Sequence, residues 1–380
     1  MRRHAAPGTR EQVRADIAQA ALDNSEDRYT KSRALGQSAF ELANQLDDQA
    51  TLYRAAWYRF RETHSTKDRQ SVLRIAREFS ANIPSELPIF THAQILNSSA
   101  WIFMSEGDRA AADELRTQLR ILADDTREPA PVAFSNMLSV WFLTVDGQLE
   151  SAMSQLADNE GILALPGRVG LFPSAVRLRL STYLGKTKDE LHEILQRPGT
   201  TDRGHGIRTG AITALCEAHM GNFVEAAIDV DRLLNELDIE DIEAAPINLL
   251  AWYFETAVLI GHKDAASLLS RQFEPIADLV MANLAMTCVA RLLGGAAALL
   301  GDPEKAREYY ILALEVTSKM QFRPEMALTR LQLTELLLEN YPDERAEAMD
   351  RLDLAISEFR DMKMQPSLER ALSHRDILKA

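Results

Sequence analysis

Residues 290–319 read ARLLGGAAALLGDPEKAREYYILALEVTSK, and the stretch reverses its character in the middle. Leu292, Leu293, Ala296, Leu299 and Leu300 recur at helical spacing. Gly301 stops that helix, because glycine accepts the left-handed backbone that follows a last helical turn. Asp302-Pro303-Glu304 then opens a second helix with Ala306, Tyr310, Ala313 and Leu314 on one face. Asp302 can accept from a free amide of the new first turn, and Pro303 sits where no donor is lost. The stretch is two helices meeting at one tight corner.

Corners of this kind can be read at Glu26, Thr66, Gly107, Gly147, Gly185, Gly221, Gly261, Gly301 and Pro342, with 36 to 41 residues between successive positions. Such a period predicts about nine helical hairpins. Five residues after a corner stand Ala112, Ala152, Ala226, Ala266 and Ala306. A small residue there lets the two helices of a hairpin cross closely. Asp108, Asn222 and Thr187 are placed to cap second helices, the last two with Glu225 and Glu190 three residues on. The Glu26 and Thr66 corners lack glycine, Glu190 replaces the small residue after Gly185, and in the last hairpin Ala348 comes one place late behind Glu347. The Leu-Gly, Gly-Asp, Ala and Tyr-Tyr pattern resembles the tetratricopeptide repeat, which implies a scaffold that binds partners. The period exceeds that repeat's roughly 34 residues, so a HEAT-like helical array is the alternative. The expectation is an all-α, right-handed superhelical solenoid without strands, and Pro366–Ala380 forms a C-terminal capping helix through Leu368, Ala371, Leu372 and Leu378.

Regularity breaks at 158–173, DNEGILALPGRVGLFP, and at 197–206, RPGTTDRGHG, both rich in Gly and Pro. The organisation is therefore N-terminal hairpins over 1–158, an irregular central hairpin with its flanking loops over 159–210, and C-terminal hairpins with the cap over 211–380. The loops read as long surface connections, or as a hinge or ligand-contacting flap.

The 380 residues are 46% apolar and 26% charged, enough to bury an ample core. The short basic leader at Met1-Arg2-Arg3-His4 has no apolar run behind it, so neither a signal peptide nor a membrane span is expected, and the cytoplasm is the expected location. Cys216 and Cys288 have no metal-ligand spacing and read as buried packing residues. A net charge of -14 opposes nucleic-acid binding, which needs a basic surface to displace counterions.

Catalytic patterns are missing. Gly185-Lys186-Thr187 resembles the end of a phosphate loop, but Leu180 stands where that loop needs a glycine. His192-Glu193 has no second histidine one turn later, and no Gly-x-Ser-x-Gly elbow appears. His219, His262 and His374 fall in different hairpins. Glu304, Glu308, Glu335 and Asp350 read as solvated helix faces. We therefore expect a non-enzyme without a cofactor or metal.

Repeat geometry says where a binding site would lie. The first helix of each hairpin lines the concave side, so residues six and thirteen places before a corner project into it. These positions give a groove of Tyr53, Phe60, Trp101, Phe134, Trp141 and Phe172, with Arg179 and Arg208 following. Glu255 is another six-before position. Such a wall suits an apolar or sugar-like ligand, or an extended peptide with an acidic end. The alternative is that these large side chains form the core between helices.

The runs LLGGAAALLGDPEKAREYYILALE, RPEMALTRLQLTELLLE and ERAEAMDRLDLAISEFRDM resemble the C-terminal helical region of large bacterial signalling ATPases. That group includes ATP-dependent LuxR-type transcription activators and ATPase-linked adenylate/guanylate cyclases. The resemblance implies a sensor arm that receives a protein, peptide or small ligand. It departs from the group in having neither an ATPase nor an output module. The function expected is thus a noncatalytic interaction scaffold or sensor arm, or else a regulatory fragment or subunit whose ATPase and output modules lie elsewhere.

Overall fold

The structure, a computed structural model, describes residues 5–62, 68–159, 171–185, 191–193, 196, 206–282 and 284–379. It is all-α apart from one pair of two-residue strands. The helices are α1 (Arg10–Ser25), α2 (Tyr29–Ala43), α3 (Gln49–Glu62), α4 (Arg69–Ala81), α5 (Ile89–Ser105), α6 (Arg109–Thr126), α7 (Pro129–Val145) and α8 (Leu149–Asp158). They continue as α9 (Leu171–Leu184), α10 (Gly206–Met220), α11 (Phe223–Glu236), α12 (Ile239–Ala244), α13 (Ile247–Ile260) and α14 (Lys263–Phe273). The last are α15 (Val289–Leu300), α16 (Pro303–Met320), α17 (Arg323–Asn340), α18 (Arg345–Met362) and α19 (Gln365–Lys379).

Consecutive helices pack on each other, most extensively α1 on α2, α5 on α6, α10 on α11, α15 on α16 and α17 on α18. At the α15–α16 corner Gly301 has φ +86, and the Asp302 side chain accepts from the Lys305 amide. Asp108 likewise accepts from the Ala111 amide. Asn222 does not cap: its Nδ2 donates to Glu217 Oε2 at 2.7 Å. Ala112, Ala152, Ala226, Ala266 and Ala306 are all 0% exposed, as close helix crossings require. The Thr66 corner, Thr187 and most of the two Gly/Pro-rich runs lie outside the described residues.

The expectation of no strands needs correction. Val280–Met281 and Thr287–Cys288 pair antiparallel between α14 and α15, with Val280 opposite Cys288 and Met281 opposite Thr287. All four residues are buried, so backbone groups that cannot reach water pair with each other.

Contacts far apart in sequence join one half of the chain to the other along a seam. Call the link between the helices of a pair a corner, and the link to the next pair a junction. Corners of the first half sit on junctions of the second. The Thr30 amide donates to Asp241 Oδ1 at 2.9 Å. Arg69 reaches Asp278 at 2.7 Å. Arg109 donates to the Met320 carbonyl at 2.9 Å, and Lys363 pairs with Glu150. At Gly147 a Cβ would meet Met362 Sδ at 2.6 Å, and at Gly185 it would meet Pro366 Cγ at 2.5 Å, so a larger residue at either corner would have to displace a side chain across the seam. One apolar core accordingly unites residues between Val13 and Tyr183 with residues between Val280 and Ala371. Helix α19 packs on α18 and on α9.

Candidate functional site

The chemistry concentrated inside the protein is a group of buried charges. Arg179 on α9, Glu255 on α13, Arg291 on α15 and Glu325 on α17 are each 6% exposed or less. Burying a lone charge in the interior would cost several kcal/mol, roughly, unless it were paired. Pairing is complete. Arg179 donates from both terminal nitrogens to the two oxygens of Glu255, at 2.9 and 2.5 Å. Its Nε donates to the Ala285 carbonyl at 2.9 Å. Arg291 donates from Nε to Glu325 Oε2 at 2.7 Å and from its Nη2 to Oε1 at 3.1 Å, and lies 3.7 Å from Glu255. Two cations and two anions make a neutral set.

Glu325, 0% exposed, collects more donors: the Cys288 amide at 2.7 Å, the Thr287 hydroxyl at 3.1 Å and the Tyr183 hydroxyl at 2.9 Å. The group thereby clasps the chain's own segment 285–288, whose carbonyl at 285 is held by Arg179 and whose amide at 288 is held by Glu325. A guanidinium and a carboxylate treat this stretch as they would an extended peptide ligand.

The electrostatics follow from the partners. Burial would raise the Glu255 carboxyl, but facing Arg179 overrides it and holds the pKa at about 2. Burial, with Glu325 beside it, pushes the Tyr183 hydroxyl well above its ordinary value. Burial and then Glu325 push the Cys288 thiol up to about 12. Burial likewise raises the Cys216 thiol, and both cysteines are free and buried. A carboxylate held this low is a weak proton acceptor at neutral pH, and thiols held this high are weak nucleophiles.

The positions proposed from the repeat are placed as follows. Tyr53 is 6% exposed, donates to the Asn82 carbonyl at 2.6 Å and meets Phe79 edge-on at 4.7 Å. Phe60 is 4% exposed and Phe134 is 1% exposed, its ring 6.1 Å from that of Phe90. Trp101 donates to Asn97 Oδ1 at 3.0 Å and meets Trp141 edge-on at 5.8 Å. Trp141 is 0% exposed and also faces Phe322, 6.5 Å away, from the second half. Arg179 belongs to the buried charge group. The side chains of Phe172 and Arg208 lie outside the described set. Of the charge group, repeat spacing had singled out Arg179 and Glu255, both six places before a corner. Arg291, Glu325 and Tyr183 were missed; for Arg291 a charge inside the apolar run VARLLGG was the available signal, while Glu325 in RPEMALTR and Tyr183 offered none.

An open hollow of about 780 Å³ lies elsewhere, where α8 and α9 meet α18 and α19, and Glu150, Met153, Arg360 and Leu368 help to line it. Among the described residues no group of three His, Cys, Asp or Glu side chains is disposed to hold a metal ion. Among them, too, no helix is long and apolar enough to cross a membrane. In comparisons with known proteins, no family model and no curated protein matches the chain.

Proposed function

We propose that the chain is a noncatalytic interaction scaffold or sensor arm of the tetratricopeptide type, about nine helical hairpins wound as a right-handed solenoid with α19 as cap. The observation that supports it most is the recurrence of one crossing. Five alanines, each five places after its corner, are 0% exposed, as a stack of equivalent hairpins requires. Such stacks present long surfaces to partners, and the charge group consumes its polar atoms on the chain itself. Recognition therefore falls to surfaces other than the filled interior, and a protein or peptide is the partner class in this reading.

The test is purification of the full chain under native conditions, followed by mass spectrometry of bound polypeptides and small molecules. A stoichiometric polypeptide, bound without chemical change, is the expected result. Conversion of a bound small molecule to product by the chain alone would overturn the reading.

A further inference from the structure

The Gly147 and Gly185 corners of the first half are covered, whereas corners of the second half are bare. Two places before the corner, Val145 and Tyr183 are 0% and 3% exposed, whereas Leu259 is 43% exposed. Two places after it, Leu149 is 1% exposed and Phe223 is 52% exposed. Leu300, directly before Gly301, is 42% exposed. Met362 and Pro366 crowd Gly147 and Gly185, while Gly221 and Gly301 have nothing within 4 Å of an added Cβ; Gly107 of the first half is open as well.

Junctions show the complementary pattern. In the second half Phe322, at the start of α17, and Met364, before α19, are 0% exposed because corners cover them. In the first half Ile89 and Phe90, which open α5, are 39% and 49% exposed. Charges along the seam run in both senses, since Glu150 of a corner pairs with Lys363 of a junction. Within the seam Arg69, just after its corner, pairs with Asp278 of a junction. Lys263, just after the bare Gly261 corner, is exposed beside exposed Glu225, Asp264, Asp302 and Glu304, and the bare junctions carry exposed Asp47, Glu86 and Glu128, so the apolar residues and not the charges favour the contact.

We propose that the bare corner edge, with Phe223, Leu259 and Leu300, docks on the bare junction edge, with Ile89 and Phe90, of a second copy of this chain. The contact repeats between molecules the seam that each molecule makes within itself. A second copy is the occupant because it carries the junction edge on which a corner edge of this same chain already sits within the molecule. This rests on the repeat reading above. The interface joins unlike patches head to tail, so it need not close at two copies.

Mass by light scattering and sedimentation, measured on the full chain from about 1 to about 100 µM, tests it. Wild type is expected to grow with concentration through dimers to longer species. Phe223→Asp with Leu300→Asp blocks one edge and Phe90→Asp blocks the other; each protein alone stays monomeric with unchanged circular dichroism and melting. Mixed in equal amounts, the two variants have one intact pair of edges and form a dimer that grows no further. Monomer at every wild-type concentration, association that survives both sets of substitutions, or no dimer on mixing would overturn the proposal. The internal seam is checked separately by bismaleimide cross-linking of Thr30→Cys with Asp241→Cys, since the native cysteines are buried. Cross-linking in a protein that stays monomeric removes the docking and keeps the repeat reading; its failure removes the seam itself.

Discussion

Gly147 and Gly301 occupy the same place in their hairpins with nearly the same backbone, φ +76 and +86, yet one is pressed against Met362 and the other faces open space. Local sequence determines the corner and is silent about what lies on it. The difference between the halves arises from how the chain winds back on itself, and that can be disturbed at several depths.

The largest effects are expected at the inner anchors of the covered half. Trp141→Ala should lower unfolding free energy by roughly 3–5 kcal/mol, because it removes a buried indole packed between Trp101 and Phe322. Glu325→Ala should cost a similar amount, roughly 3–5 kcal/mol, by leaving Arg291 buried without its carboxylate. At the bare corner Phe223→Ala should stay within about 0.5 kcal/mol at concentrations where the protein is monomeric. Urea unfolding of the three variants decides this, and equal losses at Trp141 and Phe223 would erase the contrast.

Acid should act on the covered side through Glu255. Its folded pKa, about 2, lies below the ordinary 4.5, so its contribution is complete above pH 4.5 and is lost as pH falls through about 2. A stabilisation on the order of 3 kcal/mol should therefore fade across that window, and Glu255→Gln should flatten that part of the profile. Unfolding free energies measured between neutral pH and about 2.5 show whether the variant and wild type converge.

Alanine at the two glycines compares the halves directly. Both substitutions force a side chain into the left-handed region at about 1–2 kcal/mol. Gly147→Ala adds a clash with Met362, for a further 1–3 kcal/mol or so. A Gly301→Ala protein as destabilised as Gly147→Ala would mean the seam contributes nothing there.

Smallest is the outer rim. Lys363 and Glu150 are both 63% exposed, so Lys363→Ala should change stability by less than about 1 kcal/mol, and less still in 1 M salt. A larger, salt-independent loss in thermal melts would show that this pair anchors the seam.

Corner glycines and the five alanines were readable because each answers a local demand: positive φ at one place, a small side chain at a crossing. Arg179 and Glu255 could be placed by spacing, but not their partnership, since 76 residues separate them. Arg291 and Glu325 keep no common distance from a corner, and they meet only when α15 and α17 are brought beside the segment 285–288. The strand pair was unreadable for the same reason: two residues on each side carry no periodicity, and burial alone makes their pairing necessary.

Arg109 and the Met320 carbonyl it grips are 211 residues apart. Translation at about 5–20 residues per second separates their synthesis by roughly 10–40 s. Throughout that interval the corner that carries Arg109 lacks its junction, while the partners of Thr30 and Arg69, Asp241 and Asp278, are made earlier within it. Contacts of such long sequence separation are also the slowest to close. The nascent first half is thus the stage at which the molecule is most open to a chaperone, or to the wrong copy of itself.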